Sequence, residues 1–207
     1  MSEPHSHWEE HYSAKPRVWS GRVNSRLAEI VPRLTGIRAL DLGCGEGADA
    51  IWLAEQGWEV VAVDVSTTAL ARAAEDAEAR GVLSRIDFQA HDLELTFPEG
   101  SFDLVSAQFF HTPLEMDRAA VLRRAAGAVA PGGTLLIVDH GEAPPWAKFG
   151  GHDHHHEFPS ARDVLAGLAL DTAQWTPVRV GPAEREAVGP HGEHASLVAN
   201  VIELRRE

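Results

Sequence analysis

Residues 39–47, Ala-Leu-Asp-Leu-Gly-Cys-Gly-Glu-Gly, constrain the fold of this chain more than any other stretch. A short apolar segment from Ile37 to Leu42 runs straight into a glycine-rich turn, and a helix-forming run from Ala48 to Gln56 follows. Strand, turn and helix in that order are the context in which a G-x-G-x-G loop reads as a nucleotide-type cofactor site. Gly43, Gly45 and Gly47 let the backbone turn tightly and approach a ligand. The helix behind them supplies unpaired amide donors and the positive end of a dipole. Asp41 stands where the strand ends, and Asp64 stands 23 positions later, at the end of the next apolar run. An acid about 20 residues beyond the glycines is placed to accept hydrogen bonds from ribose hydroxyls.

The rest of the chain alternates in the same way. Residues 6–16 read as a short helix ended by Pro16, and Gly21–Leu34 as a second, with Val23, Leu27, Ile30 and Val31 on one face. Strands are expected at Ile37–Leu42, Trp58–Val65, Ile86–Ala90, Phe102–Gln108 and Thr134–Val138. Helices are expected at Ala48–Gln56, Thr67–Arg80 and Glu115–Val129, the last stopped by Ala130-Pro131-Gly132-Gly133. Near-continuous apolar runs separated by helices predict a parallel sheet covered on both faces. A helix from near Ser160 and two longer extended segments, about Ala173–Val180 and Ser196–Leu204, complete the pattern, the pair forming an antiparallel hairpin on the sheet edge.

At 207 residues the chain is expected to be one domain. Its parts are an N-terminal helical cap (1–34), a cofactor-binding core (35–140), a His-rich insertion (141–159) and a C-terminal helix with a strand hairpin (160–207). The net charge of −13 disfavours nucleic acid and anionic membranes, both of which need basic surface. No apolar run approaches the roughly 20 residues that span a bilayer. Met1 to Trp8 is polar and lacks the apolar core of a secretory signal. Cys44 is the only cysteine, which excludes an intrachain disulfide. A cytoplasmic location is expected. Cys44 itself reads as a small residue packed behind the ligand, because no neighbour in sequence is a clear base for it.

The wording of the loop narrows the ligand. A dinucleotide dehydrogenase carries G-x-G-x-x-G, whereas here the third glycine comes one position early and an acid precedes the first. An acid there suits a cationic ligand. S-adenosylmethionine has a sulfonium centre, an ammonium group and no phosphate. Asp41-Leu42-Gly43-Cys44-Gly45-Glu46-Gly47 closely resembles the first motif of the class I S-adenosylmethionine-dependent methyltransferases. Val60–Asp64 followed by Ser66 resembles the second motif, and His91-Asp92-Leu93 the site of an acid that meets the adenine amino group. Ser101–Val105 and Ala130–Thr134 resemble the fourth-strand motif and the turn before the fifth strand.

The resemblance covers residues 35 to 140 by motif and the rest by element order. It implies a Rossmann-like α/β fold: a seven-stranded, mostly parallel sheet with an antiparallel last strand and helices on both faces. It implies S-adenosyl-L-methionine as cofactor, held by Asp41, Gly43, Cys44, Gly45, Gly47, Asp64, Val65, Asp92, Leu93 and Gln108. The activity it implies is methyl transfer to oxygen, sulfur or nitrogen of a small-molecule acceptor. Val105–Thr112 lacks the Asn/Asp-Pro-Pro-Tyr signature of the amino-group methylases, which with the acidic charge argues against a nucleic-acid substrate. The compact chain is similar to small bacterial enzymes acting on metabolites, the tellurite-resistance and thiol methyltransferases among them.

Many methyl acceptors need a base, and histidine is the side chain best poised for it near neutral pH. His111, after the fourth strand, and His140, after the fifth, are the catalytic candidates. For His111 the alternative is a loop histidine packed on Phe109 or Phe110. Asp139 and Glu142 read as solvated acids. Trp8, Tyr12 and Trp19 either close over the acceptor pocket or anchor the N-terminal helices to the core. His152, His154, His155 and His156, with Asp153 and Glu157, form the one segment foreign to the generic fold. Imidazoles suit a divalent metal such as Zn, Ni or Mn. Adjacent histidines on an extended chain point opposite ways, however, and the spacing fits no structural zinc pattern. The segment is thus either a metal site that holds the acceptor or a polar loop, and His191 and His194 could approach the same region. The competing functions are a non-catalytic metal- or metabolite-binding protein on the same fold and, against the glycine spacing, a nicotinamide oxidoreductase.

Overall fold

The computed structural model describes residues 2–142, 158–188, 192 and 194–207. Seven strands form one sheet: β1 (Arg38–Leu42), β2 (Glu59–Asp64), β3 (Ile86–Ala90), β4 (Phe102–Gln108), β5 (Val129–His140), β6 (Trp175–Val188) and β7 (His194–Arg206). Their order is β3-β2-β1-β4-β5-β7-β6. The pairs β1–β2, β2–β3, β1–β4 and β4–β5 are parallel, and β7 runs antiparallel to both β5 and β6. The α/β architecture and the antiparallel last strand stand as the resemblance implied.

Alternation along the strands divides the core between two faces. On β5, Leu135 and Ile137 pack with Val121, Leu122 and Ala125 of α5 (Arg118–Gly127) and with Val164 and Leu168 of α6 (Ala161–Leu168). Leu136 and Val138 face the other way, into a cluster with Leu27 and Ile30 of α2 (Ser25–Ile30) and Ile51 and Leu53 of α3 (Ala48–Glu55). Of two further helices, α4 (Thr67–Ala79) packs on β2 and β3 beside α3, and α1 (Glu3–Ser13) lies against α4 with Trp8 and Tyr12 toward the glycine loop. The strand order reverses between β1 and β4, and a crevice opens at their carboxyl ends.

Several boundaries differ from expectation, each for a local reason. α1 starts at Glu3, not residue 6, because Ser2 caps it by accepting from the His5 N–H and Pro4 occupies its first turn. Residues 21–24 are not helical: Gly21 has φ +68°, and Asn24 is tied to Asp49. α5 begins at Arg118, not Glu115, because Asp117 caps it by accepting from the Ala120 N–H at 2.9 Å. The Ala130-Pro131-Gly132-Gly133 turn is absorbed into β5 as a bulge, since Phe102 pairs with Val129 and Leu104 already with Thr134.

One ion pair ties the N-terminal region to the far side of the sheet. Arg33 donates two 2.7 Å hydrogen bonds to Glu203, a buried β7 carboxylate. Removing one partner leaves the other charge unpaired. Arg33→Met is therefore expected to destabilise the fold by about 2–3 kcal/mol, below the ~3–5 kcal/mol of a fully buried pair because water reaches Arg33. Chemical denaturation of the variant beside Arg33→Met/Glu203→Met checks this; the double variant should recover most of the loss.

Candidate functional site

The crevice is a cavity of about 580 Å³, within the range of ligand sites. The glycine loop forms its floor. Gly43 and Gly45 have φ of +66° and +53°. A Cβ at Gly43 would lie 2.7 Å from the Phe110 ring, and one at Gly45 2.8 Å from the Tyr12 hydroxyl. Glycine is therefore required at both positions, sterically as well as conformationally. Gly47, in the same left-handed region, caps α3. Cys44 is partly buried, and burial followed by the Asp64 and Asp41 charges pushes its thiol up, away from nucleophilic use.

The predicted cofactor residues other than Gly47, which lies behind the loop at the start of α3, converge here. Asp41, Gly43, Cys44, Gly45, Asp64, Val65, Asp92, Leu93 and Gln108 all line the cavity. Asp64 accepts from the Gly45 N–H and the Ser66 N–H, both at 2.9 Å, so the second strand's acid also fixes the glycine loop. Burial raises its carboxyl against those backbone donors. Asp41 is 2% exposed, and its Oδ2 has no hydrogen-bond partner among the described residues. Burial, then the Asp49 and Asp64 carboxylates, push Asp41 well above the usual carboxylate range. Gln108 donates to the Ser106 hydroxyl at 3.0 Å, which leaves its buried Oε1 without a partner.

Three acids that sequence reasoning passed over fasten the N-terminal segment onto this cavity. Glu46, inside the glycine loop, accepts 3.0 Å bonds from the Val18 and Trp19 N–H groups and pairs with Arg72 at 3.0 Å. Glu9 of α1 accepts from the Ser66 hydroxyl at 2.8 Å and from Thr68, at the start of α4. Asp49 accepts from the Asn24 backbone and side chain at 2.7 and 2.6 Å. Tyr12, thus enclosed, is 4% exposed, while Trp19 is 53% exposed and donates its indole N–H to the Tyr12 oxygen at 3.0 Å. Both line the cavity with Trp8, so the segment walls the site as well as packing on it. Burial, then Asp64, pushes the Tyr12 phenol up. It stays protonated, and no described residue takes its proton.

These unspent groups fit the cofactor that the loop implies. Asp41 Oδ2 and Gln108 Oε1 are buried acceptors suited to an ammonium, and the Tyr12 hydroxyl is a buried donor suited to a carboxylate. Glu46→Ala would leave two backbone donors and Arg72 unpaired and loosen the wall over them. Trypsin cleavage after Arg17 and Arg22 is expected to speed by about 10-fold or more, since cleavage follows the open population. Limited proteolysis with and without S-adenosylhomocysteine checks this, the ligand slowing cleavage in both proteins.

On the opposite wall, β4 and β5 bring the two candidate histidines together. Phe109, directly after β4, has φ +52°, a strained setting for an aromatic residue. The chain turns there and brings His111 beside His140, ring centroids 5.7 Å apart and planes 26° apart. Asp139 is buried, not solvated as expected, because Arg118 donates to its Oδ1 at 2.5 Å. His111 Nε2 lies 3.3 Å from the same oxygen without the alignment of a hydrogen bond. Arg118 also donates from Nε to the Phe110 carbonyl at 2.8 Å, holding the loop that carries His111. Glu142 is exposed, as expected. His152, His154, His155, His156 and His191 lie outside the described residues, and His194 is exposed at the start of β7. Among the described residues no group of three or more His, Cys, Asp or Glu side chains could hold a metal.

Comparison with known proteins gives a consistent result. Residues 39–133 match the model of a methyltransferase domain family. The 27-O-demethylrifamycin SV methyltransferase of Amycolatopsis mediterranei (strain S699) is 36% identical over 174 residues, covering 82% of this chain and 62% of that protein. The tRNA 5-carboxymethoxyuridine methyltransferase of Escherichia coli (strain K12) is 37% identical over 117 residues, 54% of this chain and 42% of that one. A solved structure concerning conversion of a disulfide bond into a thioacetal group during echinomycin biosynthesis superposes with a TM-score of 0.73 at 26% identity, covering 98% of this chain and 92% of that chain. The first three curated relatives are matched over 62%, 49% and 58% of their own length.

Proposed function

Because this chain belongs to the class I S-adenosylmethionine-dependent methyltransferases, we propose that it transfers a methyl group to a small-molecule acceptor with His111 as general base. The observation that carries this reading is the match between the unspent buried groups of the cavity and an amino-acid headgroup. Asp41 Oδ2 and Gln108 Oε1 would hold the ammonium, the Tyr12 hydroxyl the carboxylate and Asp64 the ribose. Asp92 and Leu93 would serve the adenine. Bound S-adenosylmethionine supplies an electrophilic methyl group on its sulfonium.

What the chain contributes is position, a ring-lined cavity and a base. Trp8, Tyr12 and Trp19 line one side, and Phe109 and Phe110 the other. Asp139 Oδ1 lies 3.3 Å from Nε2 of His111, and a small rotation of the ring that aligned the two would put the proton on Nε2 and leave Nδ1 as the basic nitrogen. Arg118 holds Asp139 and the His111 loop in register.

The net charge of −13 supports a metabolite over a nucleic acid, although relatives named for tRNA and for ribosomal RNA methylation are matched as well. The rifamycin relative, whose name places its methyl group on an oxygen, supports oxygen among the acceptor atoms. No helix among the described residues is long and apolar enough to cross a membrane. The single cysteine supports a cytoplasmic site of action. Titration calorimetry with S-adenosylmethionine, followed by S-adenosylhomocysteine release against hydroxyl, thiol and amine acceptors, tests the reading. Micromolar binding with turnover of one class is the expected result, and absence of cofactor binding would overturn it.

A further inference from the structure

The acceptor wall is a shelf of rings. Phe109 and His140 lie 4.5 Å apart by centroid and His140 and His111 5.7 Å, and Phe158 backs them from outside the cavity lining at 5.4 Å from His140 and 6.1 Å from His111. These are the separations of stacked and tilted aromatic pairs. Phe110, Leu114 and Met116 extend the wall with apolar surface. The carboxylates of the cavity belong mostly to the cofactor side: Asp41 on β1, Asp64 on β2, and Glu46 and Asp49 around the glycine loop. On the shelf side Asp139 gives its Oδ1 to Arg118 and keeps a buried Oδ2 without a hydrogen bond among the described residues, but it stands behind the wall and does not line the cavity; Glu94 and Glu115 stand exposed at the rim. A flat ring would find stacking surface there.

From this juxtaposition of ring shelf and imidazole we infer that the acceptor is a planar aromatic hydroxyl, a phenol or ring enol, whose oxygen faces His111. The inference rests on the methyl-transfer reading above. The acceptor oxygen forms its bond to the methyl carbon as the carbon–sulfur bond breaks. That bonding pair stays on sulfur, which becomes a neutral thioether, and the hydroxyl proton passes to His111 Nδ1. The groups around His111 are His140, Asp139 and Arg118, and Arg118 neutralises Asp139. Acid strength decides between hydroxyl classes. Imidazoles protonate near pH ~6.5 and phenols ionise near ~10. A saturated alcohol ionises close to water, near ~15.7. The mismatch with an imidazole base is therefore about 3.5 for a phenol and about 9 for a saturated alcohol, so the same base meets the smaller barrier with the phenol.

The test uses the full chain and matched acceptors: 1-naphthol and other flat phenols of one to three rings, saturated 1-decalol, naphthalenethiol and naphthylamine. Initial rates of S-adenosylhomocysteine formation are read beside acceptor binding to the S-adenosylhomocysteine complex, followed by tryptophan fluorescence. The flat phenols are expected to turn over at least about 100-fold faster than decalol and to bind at least about 10-fold more tightly. Equal rates for decalol, faster turnover of the thiol or amine, or no binding and no turnover of any flat phenol while S-adenosylhomocysteine binds would each overturn the inference. Failure to bind S-adenosylhomocysteine at all would instead overturn the reading on which it rests.

Discussion

Asp41→Asn is expected to weaken S-adenosylmethionine binding about 100-fold while making the ligand-free protein more stable. The two effects have one cause. Asp41 is buried against Asp49 and Asp64, with Oδ2 unpartnered, and its carboxyl is pushed well above the usual range. A carboxyl whose folded pKa exceeds its unfolded value of about 3.9 gives stability that is full below that value and is lost as pH rises through the folded pKa. Asp49 and Asp64 shift in the same direction, so the empty protein loses stability from all three as pH climbs from about 4.

Asn keeps the shape and carries no charge to desolvate. Its melting temperature should therefore exceed that of the wild type, by more at pH 8 than at pH 4. A bound ammonium reverses the balance by giving the Asp41 carboxylate a partner. Losing a charge-assisted bond of about 2.7 kcal/mol corresponds to the 100-fold. S-adenosylhomocysteine carries the same ammonium and should lose affinity alike, whereas a contact to the sulfonium would spare it. In the wild type, affinity should fall as pH drops through the raised pKa, and in the variant that dependence should flatten. Thermal melts and calorimetry at both pH values read all four quantities. A variant that is destabilised, or that binds normally, would remove Asp41 from the ammonium site.

The features that were legible in the sequence are those that depend on near neighbours. Ile86–Ala90 and Phe102–Gln108 are short runs dominated by local side-chain pattern, and both strands have the expected bounds to the residue. The glycine loop could be read as a site because three glycines, an acid and a following helix fall within about a dozen positions. Long-range partnerships could not be read. Asp139 looks like any acid after a buried strand, and nothing in its surroundings announces Arg118, 21 positions earlier, as its partner. Glu46 passes for loop polarity until Val18 and Trp19, 28 and 27 positions away, are seen to donate to it. The β5 bulge was hidden because Pro and Gly mark a turn wherever they cluster, and only the register with β4 shows the chain pairing on both sides of it.

His111→Gln is expected to lower kcat by about 100- to 1,000-fold, the usual contribution of a positioned base. It should leave cofactor affinity within about two-fold, because no predicted cofactor contact involves His111. Loss in kcat and kcat/KM together would mark a group used only in the transition state. A rise in KM alone would mark His111 as part of the shelf and nothing more. His140→Gln is the control. Flanked by Phe109 and Phe158, His140 supports the ring stack, and its loss should cost about 10-fold or less, mostly in KM. Asp139→Asn keeps the volume while weakening the tautomer preference at Nε2, so it should lower kcat by about 10-fold with little change in KM. Arg118→Met would leave Asp139 buried and unpaired, and should therefore destabilise the fold as well as slow turnover. A variant that loses activity without losing stability would thus point to the imidazole, and one that loses both would point to the ion pair behind it.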